Sequence, residues 1–181
     1  MTLRAATAAD VPALPAIYNA RIGEREATFE TRPRDPADVA GWLTERLPFN
    51  VAEGAGGEIA GFARLGAYSD RCVYDGVGVH GVYVAAAARG RGVGRALLEA
   101  LCEAAERAGY YKLTSRIFAS NAASRAVHRA AGFDEVGIQR RHGRLDGEWR
   151  DCVLVERLIG DAADRRVSSH AAIGSTRRHS S

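Results

Sequence analysis

Residues 89–95, Arg-Gly-Arg-Gly-Val-Gly-Arg, place three glycines and three arginines within seven positions. They follow Val82-Tyr83-Val84 and a run of alanines, and they lead directly into a leucine-rich helical pattern. Strand, glycine-rich turn and helix in that order make an anion holder. Glycine lets successive N–H groups curl toward one point, and the first helical turn adds unpaired N–H donors and the positive end of its dipole. The arginines add charge of the same sign, and the ligand that suits such a cradle is a pyrophosphate. A glycine-rich turn that binds nothing is the alternative. Neither G-x-G-x-x-G nor G-x-x-x-x-G-K-[ST] can be written on these residues, whereas Arg89, Gly92 and Gly94 write R-x-x-G-x-G.

Imidazole titrates near neutral pH and can give or take a proton, which makes the histidines the next candidates. His128 falls in a helical stretch with Asn121 and Ser124, and His80 in a strand pattern; His142 reads as a turn residue, while His170 and His179 lie in the polar C-terminal stretch. A helical histidine is otherwise usually a surface group or a satisfied core group, and Asn121 equally suits a helix N-cap. Arg71-x-x-Tyr74 offers a guanidinium fork and a phenol donor, both suited to a carboxylate or phosphinate. Read alone, that pair is a loop arginine and a core tyrosine.

The elements that must position these groups follow from hydrophobic period. Thr2–Ala5 reads as a strand, and Thr7 with Asp10 caps a helix carrying Val11, Leu14, Ile17 and Tyr18. Asp35-Pro36 opens a second helix that Pro48 stops. Val51–Glu53 and Ile59–Leu65 form a hairpin, and Val77–Val84 is a further strand. From Gly94 a helix buries Leu97, Leu98 and Leu101 and ends at Gly109. Lys112–Phe118 is a strand, Asn121–Ala131 a helix, and Phe133–Ile138 with Cys152–Leu158 two closing strands. The order predicts an α/β domain with one sheet and helices on both faces.

Composition bounds the function. The chain has 181 residues, a net charge of +3 and no basic stripe interleaved with aromatics, which argues against a nucleic-acid partner. No apolar run reaches membrane-spanning length, so no membrane partner is expected. Cys72, Cys102 and Cys152 lack metal or disulfide spacing, which predicts reduced thiols, a cytoplasmic protein and no metal site. Residues 161–181, without apolar period, read as a disordered tail after a domain of residues 1–160.

Over that domain the chain resembles a GNAT N-acetyltransferase. The resemblance is carried by Leu3-Arg4-x-Ala6-Thr7-x-x-Asp10, by the R-x-x-G-x-G loop, and by Asn121-x-x-Ser124-x-x-x-His128 with Ala131-Gly132-Phe133. Ala27-Thr28-Phe29-Glu30-Thr31-x-Pro33, Arg71-x-x-Tyr74, Tyr111–Phe118 and Arg140–Trp149 resemble the phosphinothricin acetyltransferases, closest to their arsinothricin-resistance branch. The resemblance implies the GNAT fold, a central mixed and mostly antiparallel β-sheet flanked by α-helices, and a homodimer. It implies transfer of an acetyl group from acetyl-CoA to the amine of a small acidic amino acid or antimetabolite analogue, conferring resistance.

Each residue then takes an expected role. Val82, Tyr83 and Val84 offer backbone groups to the pantetheine arm, and Arg89, Gly90, Arg91, Gly92, Val93, Gly94 and Arg95 cradle the pyrophosphate. Asn121 and Ser124 contact the arm or its thiol end, Phe29, Arg71 and Tyr74 face the acceptor, and His128 protonates the departing thiolate. The family's glutamate base falls at Val79, which cannot accept a proton; His80, its neighbour, points to the opposite face of a regular strand. The base is then His128, a water or a displaced carboxylate. Otherwise the chain is an impaired acyl-CoA sensor, or acetylates another amine such as a protein N-terminus.

Overall fold

The computed structural model describes residues 1–163. Strands β1 (Thr2–Ala5), β2 (Phe49–Glu53), β3 (Ile59–Ala67), β4 (Val77–Val84), β5 (Lys112–Phe118), β6 (Asp134–Leu145) and β7 (Glu148–Leu158) form one sheet in the order β1-β2-β3-β4-β5-β7-β6. Every neighbouring pair is antiparallel except β4 and β5, which run parallel. Helices α1 (Leu14–Glu24) and α2 (Pro36–Thr44) cover one face, and α3 (Val93–Arg107) and α4 (Ala122–Ala130) the other.

Period-2 alternation explains the two layers. On β2 and β3, Phe49, Val51 and Phe62 pack with Leu14, Ile17 and Val39 on the α1/α2 side. Ala52, Ala63 and Leu65 point the other way, into Leu97, Leu98 and Leu101 of α3. Small residues on the α3 side let that helix lie close over the centre of the sheet.

Three expectations change. Thr7 and Asp10 form their capping box around a single 3-10 turn, Ala8–Asp10, and the helix proper begins four residues later at Leu14. Here Asp10 is claimed by Arg4 of β1, through bonds of 2.7 and 2.8 Å, so the cap serves to pin the strand as well as the turn. The closing hairpin is much longer than expected, with β6 running to Leu145. Asp146 and Gly147, at φ 49° and 83°, make the two-residue turn whose twist suits a hairpin. His142 therefore lies in a strand. Residues 140–144 carry no apolar alternation because almost all of β6 is exposed on both faces. Of the expected tail, residues 161–163 continue a 3-10 turn, Gly160–Ala162; the remainder, with His170 and His179, lies outside the described residues.

Candidate active site

The parallel pairing of β4 and β5 covers only Val77–Val79 against Lys112–Thr114. Beyond it the strands part. A cavity of about 90 Å³ lies between them, with Val82 and Tyr83 on one wall, Ser115 and Arg116 on the other, and Asn121 and His128 from the α4 segment closing it. His80, His128 and Phe133 pack ring against ring beneath this gap, with centroids 4.7–5.4 Å apart.

His128 and His80 are joined, Nε2 to Nε2, at 3.0 Å, and both rings are buried. His128 sits in the last turn of α4, where its Nδ1 lies 2.8 Å from the Ser124 carbonyl. A carbonyl only accepts, so Nδ1 of neutral His128 carries the proton and its Nε2 accepts from Nε2–H of His80. Burial lowers the pKa of His128, against the Ser124 carbonyl. Burial, then the His128 imidazole, holds His80 well below its ordinary value. Nδ1 of His80 has no partner of hydrogen-bond geometry. At neutral pH the pair is uncharged, and it can share one proton between its Nε2 atoms; a second would place two cations in contact.

The glycine loop is shaped as a cradle. Gly92 is the N-cap of α3 at φ 81°, and Gly90 stands at φ 72°, both in the left-handed region that glycine enters without strain. A Cβ added at either would meet nothing within 4 Å, so the mouth of the loop is open where a pyrophosphate would lie. The helix ladder starts with the Ala96 N–H on the Gly92 carbonyl, which leaves the preceding N–H groups for an anion. The arginines are otherwise engaged. Arg89 pairs with Glu24 at 2.8 Å and donates to the Val84 carbonyl, and Arg95 pairs with Glu99. Arg91 and Val93 border a separate cavity beside the β2–β3 turn.

Asn121 is the N-cap of α4, accepting from Ser124 N–H at 2.9 Å and donating to the Glu26 carbonyl, and it lines the cleft as well. The N-cap reading holds, and it leaves the side chain at the cleft. Val79 and His80 do face opposite sides of β4. Val79 lines a cavity of about 260 Å³ with Tyr68, Tyr74, Thr114, Arg116 and Glu156 on the face away from His128. Tyr74 is thus brought to the site, edge-on to Tyr68 at 5.4 Å, whereas Arg71 is exposed and lines neither of these cavities. Phe29 packs on Phe118 at 4.7 Å and lines a third cavity with His142 and Arg116.

Sequence reasoning missed Arg116, which lines all three adjoining cavities while its Nε donates to Gln139 at 2.9 Å. It also missed Glu156. Both alternate with buried apolar residues on their strands, a sign that they share the opposite face, but their meeting with Val79 depends on the β4-β5-β7 order. No group of three His, Cys, Asp or Glu suited to a metal occurs among the described residues, and no helix there is long and apolar enough to cross a membrane.

Residues 14–133 match the acetyltransferase (GNAT) family. The chain belongs to that family. This GNAT domain is 35% identical over 159 residues to an L-methionine sulfoximine/L-methionine sulfone acetyltransferase of Pseudomonas aeruginosa, covering 86% of the chain and 92% of the relative. Among solved structures, a ribosomal-protein-alanine N-acetyltransferase from Brucella melitensis superposes with a TM-score of 0.83 at 36% identity, over 88% of this chain and 100% of that one. A phosphinothricin acetyltransferase from Sinorhizobium meliloti in complex with AcCoA gives a TM-score of 0.84 at 29% identity, over 93% and 94% of the two chains. The seven-stranded sheet and four helices are the GNAT fold, and the enzyme is an acetyltransferase that uses acetyl-CoA.

Proposed function

We propose that this GNAT enzyme N-acetylates the α-amine of a small acidic amino acid or analogue of the phosphinothricin, arsinothricin or methionine sulfone type, and so confers resistance to it. The observation that carries the reading is the row of adjoining cavities around the β4/β5 gap, with Arg116 common to all of them. A guanidinium on the cavity wall suits a carboxylate or phosphinate, and Tyr74 adds a phenol donor. Arg71, exposed beside Tyr74, is the outer contact for a longer acidic side chain. Phe29 and Phe118 supply the apolar wall.

Acetyl-CoA supplies the acetyl group. The chain's own residues hold it through the backbone of Val82–Val84 and the N–H groups of residues 90–95, and Asn121 and Ser124 border its path. A backbone N–H at the gap stabilises the oxygen that gains charge as the carbonyl is attacked. His128 protonates the departing sulfur from the singly protonated state of the pair, in which it shares one extra proton with His80 between their Nε2 atoms. The protein works in the cytoplasm as a homodimer, joined through the exposed apolar Val136, Ile138 and Trp149 of the β6–β7 hairpin.

Thiol release from acetyl-CoA with phosphinothricin, methionine sulfone, a polyamine and a peptide with N-terminal alanine tests this reading. Turnover with the first two and not the others is expected. Preference for the peptide would favour protein N-termini, the acceptor type that the Brucella relative's name suggests. In calorimetry, Gly90→Asp, whose residue tolerates positive φ but adds a negative charge, should weaken CoA binding at least tenfold while Gly90→Asn has little effect. Equal affinity of the two variants would remove the loop from the site.

A further inference from the structure

We infer that Glu156 supplies the carboxylate that Val79 lacks, holding the acceptor's ammonium group and taking its proton. This rests on the acetyltransferase reading above and adds the base to it. Val79, Thr114 and Glu156 are Cα partners across three consecutive strands, β4, β5 and β7. Partners in neighbouring strands share a face and lie about 4.8 Å apart, so Glu156 stands ~10 Å from Val79 on the same surface of the sheet. Both line the cavity of about 260 Å³, one from each side, and Glu156 is the carboxylate among its lining residues. Glu30, the acid near Phe29, borders a different cavity and pairs with Arg34.

The surroundings of Glu156 fit a zwitterion. Arg116 lies two residues beyond Thr114 on the same face, which makes it the diagonal neighbour of Glu156 across β5 and β7. An amino acid whose carboxylate meets Arg116 therefore turns its ammonium toward Glu156. Thr114 Oγ1 donates to the Val155 carbonyl and leaves the carboxylate uncontested from that side. Lys112 pairs with Glu156 across the two strands. In the reaction the ammonium gives a proton to Glu156, directly or through one water. The freed nitrogen bonds the acetyl carbon, the carbon–sulfur bond breaks, the sulfur takes a proton from the singly protonated His128–His80 pair, and the second proton that the nitrogen sheds recharges that pair.

The test is steady-state kinetics of the full chain with L-methionine sulfone and acetyl-CoA. Glu156→Gln should lower kcat by about 10²-fold or more, the range of a positioned general base. It should leave the KM for acetyl-CoA and the melting temperature near wild type. Adding Val79→Glu to that variant should return at least tenfold of the lost kcat, which a merely structural ion pair would not do. A loss under tenfold, or a loss that Val79→Glu leaves in place, overturns the assignment. Should Glu156→Gln not fold, Glu156→Asp keeps the charge but withdraws it by one methylene, and wild-type kcat in that variant overturns it equally. Wild-type transfer with an indifferent Glu156→Gln defeats the role of Glu156 alone. Tight CoA binding without transfer by the wild type defeats this assignment and the acetyltransferase reading together.

Discussion

At the scale of single residues, the two buried imidazoles tie stability to pH. Both titrate below the ordinary histidine value, so the unfolded chain binds protons that the folded one refuses. The stability they allow is whole above about pH 6.5 and is lost as pH falls from there toward the depressed folded values. Scanning calorimetry should show the melting temperature falling between about pH 6.5 and 5, and falling less steeply in His80→Phe, which removes one group from the aromatic cluster. An unchanged slope in that variant would mean that other groups set the acid limit. The placement of His128 and Asn121 together at the cleft was legible because a helix turns sequence spacing into geometry. The opposed directions of Val79 and His80 were legible for the same reason in a strand. Arg116 and Glu156 were not, since their relation to Val79 exists only once three strands distant in sequence lie side by side.

At the scale of elements, the N-terminal cap shows how a motif read correctly can be assigned to the wrong neighbour. Asp10 accepts from Thr7 N–H at 2.7 Å and from both terminal nitrogens of Arg4. The Arg4 guanidinium, first of all, brings the pKa of Asp10 down from 3.8 to about 2. Its contribution is present above the ordinary carboxylate value and disappears as pH falls toward 2. Asp10→Asn should cost about 1–2 kcal/mol at pH 7, allowing for a partly exposed Arg4. Urea unfolding at descending pH should show that difference shrinking below about pH 4; a constant difference would point to packing instead. The β6–β7 hairpin is the converse case. Asp146-Gly147 is a strong hairpin signal, but the arginine-rich residues before it hid the strand, because β6 is exposed along nearly its whole length and needs no apolar face.

At the scale of the whole molecule, the exposed Val136, Ile138 and Trp149 sit on that hairpin. Light scattering should give the mass of two chains for the wild type and of one for Ile138→Lys; a single-chain mass for the wild type would reject the dimer. The rest of the architecture is contiguous in sequence on each side of one junction: β1–β4 form an antiparallel run, and β5–β7 another. Three residue pairs of parallel ladder and the packing of α3 join them. Past Val79, the edge of β4 that faces β5 is half a ladder, its donors and acceptors laid out at peptide spacing without a strand to meet them. The pantetheine arm proposed to lie there would supply amides, and the bonds that held the cofactor would then also close the sheet. Ligand at a hundred times its Kd adds about 2.7 kcal/mol to such a fold. On that reading the gap is where the domain would part first, and saturating acetyl-CoA is expected to slow its cleavage by proteases as well as feed its reaction.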